Sequence, residues 1–340
     1  MNCISFKNLF FLFSFCIIIV SCADKIKAPD VSGISAPVTL LRFEKDFFAI
    51  DTNNISPALD KLHTIYPDFL NDYLYQILNC DQNADSTAMR VKMFIRDYRP
   101  VYESSQRLFS SFTKEKDEIG QGLKYVHYYF PAYPLPAKIF TYVAPIESYA
   151  SVLGINSAGV GLQLYLGDTS MFYANDYVQE IYPQYQVRRF KPEYIAVNCF
   201  KNIADDIYPP QDKGGPLIYQ MIEAGKKLYM LDMFLPYTAD SIKTGYTQNQ
   251  LNGCYENEVF IWNYFLQNNL LFSTDLLQNR DYLQDGPKTE VLGNASPGFI
   301  GQFIGRQIIR KWMGAHEGTS LQQLLNTPAS KIYDEAKYKP

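Results

Sequence analysis

The sequence predicts a mostly α-helical protein with a small antiparallel β-sheet, which is an α+β fold. Hydrophobic residues make up 47% of the 340 residues and charged residues 19%, a balance that is typical of a folded chain and not of a disordered one. Apolar residues recur at helical spacing through most of the chain after residue 55. Only two segments, 138–143 and 159–167, show the residue types or the alternation of strands.

The first 21 residues resemble an export signal. Lys7 supplies a positive charge, and residues 9–20 form an apolar run. That run is shorter than the roughly 20 residues that cross a bilayer, but it fits the hydrophobic region of a signal peptide. Ile19-Val20-Ser21-Cys22 then resembles a bacterial lipobox, in which the cysteine receives palmitate-like acyl chains. The alternatives are an uncleaved signal anchor, or an ordinary signal in which Cys22 is incidental.

This interpretation divides the chain into three parts. We expect a lipoprotein signal peptide over residues 1–21, a lipidated tether over 22–38 and a single globular domain over 39–340. The tether mixes Lys, Asp, Pro, Ser and Gly, as flexible linkers do. The lipid on Cys22 would hold the domain on a membrane of the cell envelope, facing the periplasm.

Start signals and periodicity predict the helices of this domain in order. Helical spacing covers the region 55–110 and then residues 117–130. Five later helices are predicted from a proline, a glycine turn, a serine cap or a Thr-x-x-Gln capping box. These signals lie at Pro192, Gly214-Gly215-Pro216, Thr247-x-x-Gln250, Ser296-Pro297 and Thr319-x-x-Gln322.

Two segments predict the sheet. Residues 138–143 are rich in β-branched and aromatic side chains, and residues 159–167 place Val160, Leu162 and Leu164 at a spacing of two. Glycines between the two segments suit a turn, so the sequence predicts that they pair as antiparallel neighbours.

Two further patterns concern packing. Gly301-x-x-x-Gly305 predicts a helix that lets a neighbouring backbone approach closely. Cys80, Cys199 and Cys254 would remain in the mature chain beside the lipidated Cys22. Because three cysteines cannot all pair, one disulfide with a free thiol and three buried thiols are both open.

Composition and motif content argue against several function classes. Lys and Arg total 31 against 35 Asp and Glu, a net charge of -4, so nucleic-acid binding is not expected. His63, His127 and His316 are far apart and form no H-E-x-x-H helix, so we predict no metal site and no cofactor. A G-x-S-x-G nucleophile motif is missing from the sequence as well.

Carboxylates are the remaining candidates for chemistry, since a convergent pair can hydrolyse a glycosidic bond. Glu193 is the first candidate catalytic residue. The other candidates are Asp205, Asp206, Asp232, Glu256, Glu258 and Asp275. The spacing of these residues does not show that any two of them converge. We therefore favour roles as solvated surface groups or as partners in structural ion pairs.

Several stretches, in this order and spacing, resemble the GldB family of gliding-motility lipoproteins from Bacteroidetes. They are 42–51, 159–167, 191–195, 225–232 with Leu235-Pro236, Asn257-Glu258 with Trp262, Ser296-Pro297-Gly298 with Gly301 and Gly305, and 337–340. The resemblance covers nearly the whole mature chain. It implies an envelope lipoprotein that contacts proteins of the gliding and type IX secretion apparatus and is not an enzyme.

The same family is similar to zinc peptidases of the gluzincin type. Glu193 matches the glutamate of their H-E-x-x-H helix, but Pro192 and Ala196 stand where its histidines would be. Ala224 stands where the later glutamate ligand would be. Because such a site cannot hold zinc, the resemblance implies a degenerate peptidase-like fold. The alternative function is a carboxylate-dependent hydrolase of cell-wall glycan or peptide, with Glu193 as its first candidate.

Overall fold

The computed structural model describes residues 28–154, 156–210 and 214–340. The predicted signal peptide and Cys22 lie outside these ranges. The protein is 58% helical with one small sheet, so the predicted α+β class is confirmed. Within the described ranges, none of the helices has the length and apolar character needed to cross a membrane.

The strands of the described residues lie in the first half of the chain among several helices, and the second half is formed by helices. In chain order they are β1 Thr39–Arg42, α1 Phe43–Phe48, α2 Ile55–Ile65, α3 Leu70–Asp72 with a π-helical turn at Tyr73–Ile77, α4 Ala84–Asp97, α5 Arg99–Leu108, α6 Thr113–Tyr129, β2 Lys138–Tyr142, β3 Ser151–Gly154, β4 Ser157–Gly161, α7 Asp176–Ile181, α8 Gln184–Val187, α9 Tyr194–Ile207, α10 Leu217–Phe234, α11 Asp240–Thr244, α12 Gln248–Glu256, α13 Glu258–Gln267, α14 Leu276–Leu283, α15 Ile300–Ala315, α16 Leu321–Asn326 and α17 Ala329–Ala336.

The sheet is mixed, so the predicted antiparallel pairing was wrong. Its strand order is β1-β2-β4-β3, and β2 runs parallel to both β1 and β4. Only β3 and β4 are antiparallel. After β2 the chain crosses to the edge of the sheet and forms β3, and it then turns back to form β4 between β2 and β3. The hairpin therefore consists of β3 and β4, one strand later than predicted. The second predicted strand also ends early, at Gly161, and a 3-10 turn at Leu162–Leu164 takes up the alternating leucines.

Aromatic rings fill the space between this sheet and the first helices. Phe69 stacks on Phe140 of β2 with ring centroids 4.6 Å apart. Phe43 meets Tyr73 edge to face at 4.6 Å, and the Tyr73 hydroxyl donates to the carbonyl oxygen of Val143 at 2.6 Å. The rings give this end of the molecule a packed apolar centre, and beside it the buried Glu44 carboxylate binds Arg42 and accepts from the Thr141 hydroxyl.

The second half of the core is built on the contact between α10 and α15, the most extensive between any two elements of the described residues. Gly225 and Gly305 meet where the two helices cross, and a β-carbon placed on Gly305 would lie 1.7 Å from the carbonyl oxygen of Met221. A side chain at either glycine would push the helices apart. The close approach predicted from Gly301-x-x-x-Gly305 is therefore confirmed.

Helix starts follow the predicted signals in part. The capping box at Thr247 and Gln250 is confirmed. The box predicted at Thr319 lies one residue later, at Ser320 and Gln323. The helix predicted to begin at Ser296-Pro297 instead begins at Ile300, because the Ser296 hydroxyl is engaged by the backbone of Thr289.

The described part of the predicted tether lies on the domain. Val31 is only 3% exposed, and Ala36 and Val38 pack against the main core. The amide of Ile34 donates to the carbonyl oxygen of Val31 at 3.0 Å, which closes a turn. Residues 31–38 therefore run along the surface and do not extend away from it.

Candidate functional site

Glu193 is exposed at the N-terminal end of α9 and makes no capping hydrogen bond. It lines a groove of about 460 Å³, here called the Glu193 groove, together with Glu115, Glu118 and Tyr237. Burial raises the pKa of Glu118, although the Thr238 hydroxyl donates to this carboxylate at 3.3 Å and opposes the shift. The structure thus places Glu193 in one groove with two other carboxylates.

Most of the remaining candidate carboxylates have structural partners and lie apart from Glu193. Asp205 pairs with Lys227, Asp206 accepts from Tyr133, Asp232 binds Arg306, Glu258 accepts from Gln307 and Tyr338, and Asp275 caps α14. Glu256 is exposed. These contacts support the structural roles favoured from the sequence.

Histidines and cysteines do not assemble a reactive centre in the part of the chain that the structure describes. No group of three His, Cys, Asp or Glu there could hold a metal ion. His316 stacks on Trp312 at the end of α15, whereas His63 is exposed. Cys80, Cys199 and Cys254 are all unpaired, which removes the disulfide alternative. Burial raises the pKa of Cys199 to about 11, so its thiol stays protonated at neutral pH.

A groove of about 920 Å³, twice the volume of the Glu193 groove, lies over the sheet and is here called the sheet groove. Strand register places Val152, Gly159 and Phe140 side by side as its floor. Gly159 keeps this floor low, because a β-carbon there would lie 2.6 Å from a methyl carbon of Val152. The groove is at the upper end of the size range of ligand sites in proteins.

Two walls rise from this floor. One wall comes from the segment around α3 and from α4, and it includes Asp72 and Met93. The other comes from the loop before β3 and from α7, and it includes Tyr149 and Tyr177. Tyr149 is 76% exposed, so a large aromatic surface stands open at the rim.

The sheet groove is acidic. Four carboxylates, those of Asp68, Asp72, Asp97 and Glu147, line it beside a single guanidinium, that of Arg90. Arg90 is already engaged, since its Nε donates to the carbonyl oxygen of Leu78 at 3.0 Å. Asp68 pairs with Lys138, and Asp97 pairs with Arg96. Asp72 and Glu147 are therefore the carboxylates that remain to favour a positively charged partner beside the apolar and aromatic surface.

The strand that borders the sheet groove is an edge strand. β3 pairs with β4 on one side, and no strand of the described chain pairs with its other side. Val152, Leu153 and Gly154 of β3 also line the groove. A free edge beside a groove can accept an extended segment of another protein as an added strand.

Comparison with known protein families gives one result, a match of residues 24–340 to the family model described as gliding motility protein GldB. The chain belongs to the GldB family. Membership makes it a gliding-motility lipoprotein associated with the cell envelope, in agreement with the resemblance seen in the sequence. Searches of curated proteins and of solved structures found no match for this chain.

Neither the sheet groove nor the neighbours of Glu193 were predicted for this GldB-family protein. The groove draws its lining from residues between Asp68 and Tyr177 that no single motif connects. The only local signal was Gly159-x-Gly161, where two glycines interrupt a predicted strand. A glycine within a strand marks a place where something approaches the backbone closely, and Gly159 fits that rule.

Proposed function

We propose that this protein is a non-enzymatic component of the gliding motility and type IX secretion apparatus, and that it works through protein–protein contacts. Acyl chains on Cys22 would tie it to an envelope membrane with its domain facing the periplasm. One acyl chain binds a bilayer only weakly, whereas two or more give stable anchoring. Family membership supports the setting, and the sheet groove supports the contact.

The sheet groove is the observation that carries this proposal. Its edge strand β3 pairs with another described strand on one side only, its floor is apolar, and its walls carry the carboxylates of Asp72 and Glu147. An extended, basic segment of a partner protein matches all three properties. Its backbone would add a strand to β3, its apolar side chains would reach Val152 and Phe140, and its basic side chains would face Asp72 and Glu147.

Site-specific photo-crosslinking in the native envelope tests this contact. The crosslinking amino acid replaces Tyr149 in the sheet groove, or Tyr237 in the Glu193 groove as the matched control. The two side chains are 76% and 79% exposed, so accessibility alone does not separate them. We expect Tyr149 to trap a motility or secretion protein and Tyr237 to trap none. Equal adducts from both positions, or none from Tyr149, would contradict the proposal.

The lipid anchor has its own test. Intact mass spectrometry of the purified chain should find acyl chains on Cys22, and Cys22→Ser should move the protein from the membrane fraction to the soluble fraction. An unmodified thiol at Cys22 in the wild-type protein would refute the anchor while leaving the groove proposal to its own experiment.

We also propose that residues 39–340 form one domain. One continuous cluster of buried side chains runs from Phe43 to Tyr338 and supports this division. Urea unfolding followed by circular dichroism and by tyrosine fluorescence should then give a single coincident transition. Two separated transitions would divide the chain differently.

The alternative is a hydrolase of cell-wall glycan or peptide. It rests on the Glu193 groove, where the raised pKa of Glu118 suits a general acid and the exposed Glu193 is a second carboxylate. Purified protein incubated with peptidoglycan tests it. Release of soluble fragments by the wild type, lost in both Glu193→Gln and Glu118→Gln, would favour the enzyme over the contact protein.

A further inference from the structure

A second pocket, here called the cationic pocket, lies among α9, α10, α11 and α15. Its volume is about 340 Å³, which is within the range of small-molecule sites. Four basic side chains, Arg189, Lys201, Lys227 and Lys243, line it beside one carboxylate, that of Asp205. Such a concentration of positive charge is unexpected in a chain whose net charge is -4.

Three of these four basic groups already have partners. Lys227 pairs with Asp205, and Arg189 pairs with Asp285. Lys243 contacts a carboxylate oxygen of Asp232 at 2.8 Å.

Lys201 is different, because among the described residues no hydrogen-bond acceptor and no carboxylate pairs with its ammonium group. The residue as a whole is exposed. Partial desolvation, helped by the positive charge of Arg189 and opposed by the carboxylates of Asp285 and Asp205, lowers the pKa of Lys201 to about 8. The pocket thus holds one cation that forms no ion pair, although the carboxylates of Asp205 and Asp285 act on its charge from a distance.

The structure behind the pocket has surplus positive charge too. Lys243 belongs both to the pocket wall and to a buried ion cluster formed by Asp232, Asp240, Lys243, Arg306 and Arg310. That cluster contains three cations and two carboxylates. Buried nitrogens of Arg306 and Arg310, Nη1 and Nε respectively, lack hydrogen-bond partners. This ion cluster therefore carries an excess of positive charge and does not offset the charge of Lys201.

The rest of the pocket wall is apolar. Small and aliphatic side chains and one ring form it, namely Ala204, Ala224, Leu228, Leu231, Leu283 and Phe299. A fully hydrated inorganic ion would gain nothing from such a wall. An organic anion would bury its apolar body there by the hydrophobic effect.

We infer that the cationic pocket binds a small organic carboxylate, with its head group against Lys201 and a short apolar body against Leu228, Leu231 and Phe299. One carboxylate head group matches the one ammonium without an ion pair, whereas inorganic phosphate has no apolar body to cover the rest of the wall. This inference is independent of the proposed contact function, because the cationic pocket and the sheet groove share no lining residue.

Isothermal titration calorimetry with sodium octanoate tests the inference. The full chain is purified in a nonionic detergent as the wild type, as Lys201→Met and as the control Lys331→Met, which removes a lysine that is 60% exposed on α17. We expect octanoate to bind the wild type and Lys331→Met at one site, and Lys201→Met at least tenfold more weakly. Equal affinity in all three proteins, or no saturable binding to the wild type, would overturn it.

Two competitors separate the head group from the body. Octanol has the same body without a charge, and inorganic phosphate has charge without a body. We expect each to bind the wild type at least tenfold more weakly than octanoate. Octanol binding as tightly as octanoate would overturn the role of Lys201, and displacement of octanoate by equimolar phosphate would overturn the role of the apolar wall.

A spectroscopic readout keeps the test independent of how the variant folds. Reductive methylation with ¹³C gives each lysine an NMR signal whose pH titration reports its own pKa. The signal that Lys201→Met removes should titrate below those of exposed lysines, and saturating octanoate should raise its pKa, because a nearby carboxylate favours the charged amine. A titration that octanoate leaves unchanged would contradict a head group bound at Lys201.

Discussion

The sheet end and the helical end of this protein are held together by different forces. Around the sheet, Phe43, Phe69 and Tyr73 contact one another as rings, with centroids 4.6–5.9 Å apart. Between α10 and α15, Arg306 is fully buried and its Nε donates to Asp232 at 2.8 Å. Ring packing involves no charge and does not depend on pH, whereas a buried ion pair depends on both partners and on their protonation.

The difference indicates what each end must do. At the sheet end, ring packing supports Phe140 in the floor of the sheet groove, and β3 pairs with another described strand on one side only. At the other end, Gly305 lets α15 approach α10, and the neighbouring Arg306 reaches Asp232 across that contact. Buried charge pairs add little net stability, but they penalise any register that separates them. We therefore interpret the ion cluster as the element that fixes how α15 sits on α10.

Loss of Arg306 should cause the largest effect. Arg306→Met removes the buried cation but leaves Asp232 and Asp240 in place, so we expect a loss of about 3–5 kcal/mol in the free energy of unfolding. Urea denaturation monitored by circular dichroism measures it. Adding Asp232→Leu to Arg306→Met removes a stranded carboxylate and should restore part of the loss. A cost under about 1 kcal/mol for Arg306→Met would contradict a structural role for the cluster.

The glycine contact should come next. Gly305→Ala places a methyl group against the backbone of α10, and overpacking of this kind costs about 3 kcal/mol. Gly314→Ala is the matched control in the same helix, since nothing lies within 4 Å of a β-carbon there. The control should be neutral or more stable by up to about 1 kcal/mol, because alanine favours helix over glycine. Similar values for both variants in urea denaturation would refute the close approach.

A single polar group at the sheet end should matter less. Tyr73→Phe keeps the ring but removes the hydroxyl that donates to Val143, so we expect a loss of about 1 kcal/mol with an unchanged unfolding slope. Tyr149→Phe, at an exposed ring, should cost nothing measurable. A loss well above about 1 kcal/mol for Tyr73→Phe in the same urea experiment would show that its hydroxyl contributes more than one ordinary hydrogen bond.

A fall in pH should weaken the ion cluster of the helical end. Burial alone would raise the pKa of Asp240, but the charges of Arg306 and Lys243 outweigh it and hold the pKa well below its usual range. A carboxyl with a depressed folded-state pKa contributes stability that is present above its unfolded pKa of about 3.9 and is lost as the pH falls below it. Urea midpoints from pH 7 to pH 3 should therefore fall more steeply for the wild type than for Asp240→Asn. Parallel curves would contradict this.

Local signals in the sequence predicted local structure. The Thr247 capping box appears as predicted, and the helices predicted at Pro192 and at Gly214-Gly215-Pro216 are present and begin at Tyr194 and Leu217. The Gly301-x-x-x-Gly305 contact was also predictable, because close helix packing needs small residues at that spacing. In each case the physical cause lies within one or two helical turns.

Contacts between residues far apart in the sequence were not predicted. Strand β1 pairs with β2 across nearly one hundred residues, and neither the short β1 nor the position of β4 between β2 and β3 follows from alternation. The sequence around Arg306 does not indicate that this arginine is buried. Its burial follows from its position opposite Asp232 in the folded protein. The sheet groove combines residues from several elements, so its acidity emerges only when the fold brings Asp72 and Glu147 together.

A complementation assay in a gliding strain tests the central claim most directly. The strain would carry either the double charge reversal Asp72→Lys with Glu147→Lys in the sheet groove, or Glu193→Gln, each expressed at wild-type level and with wild-type circular dichroism. We predict that the double reversal abolishes gliding and that Glu193→Gln glides normally. Normal gliding of the double reversal together with loss of gliding in Glu193→Gln would contradict the contact function and favour the hydrolase.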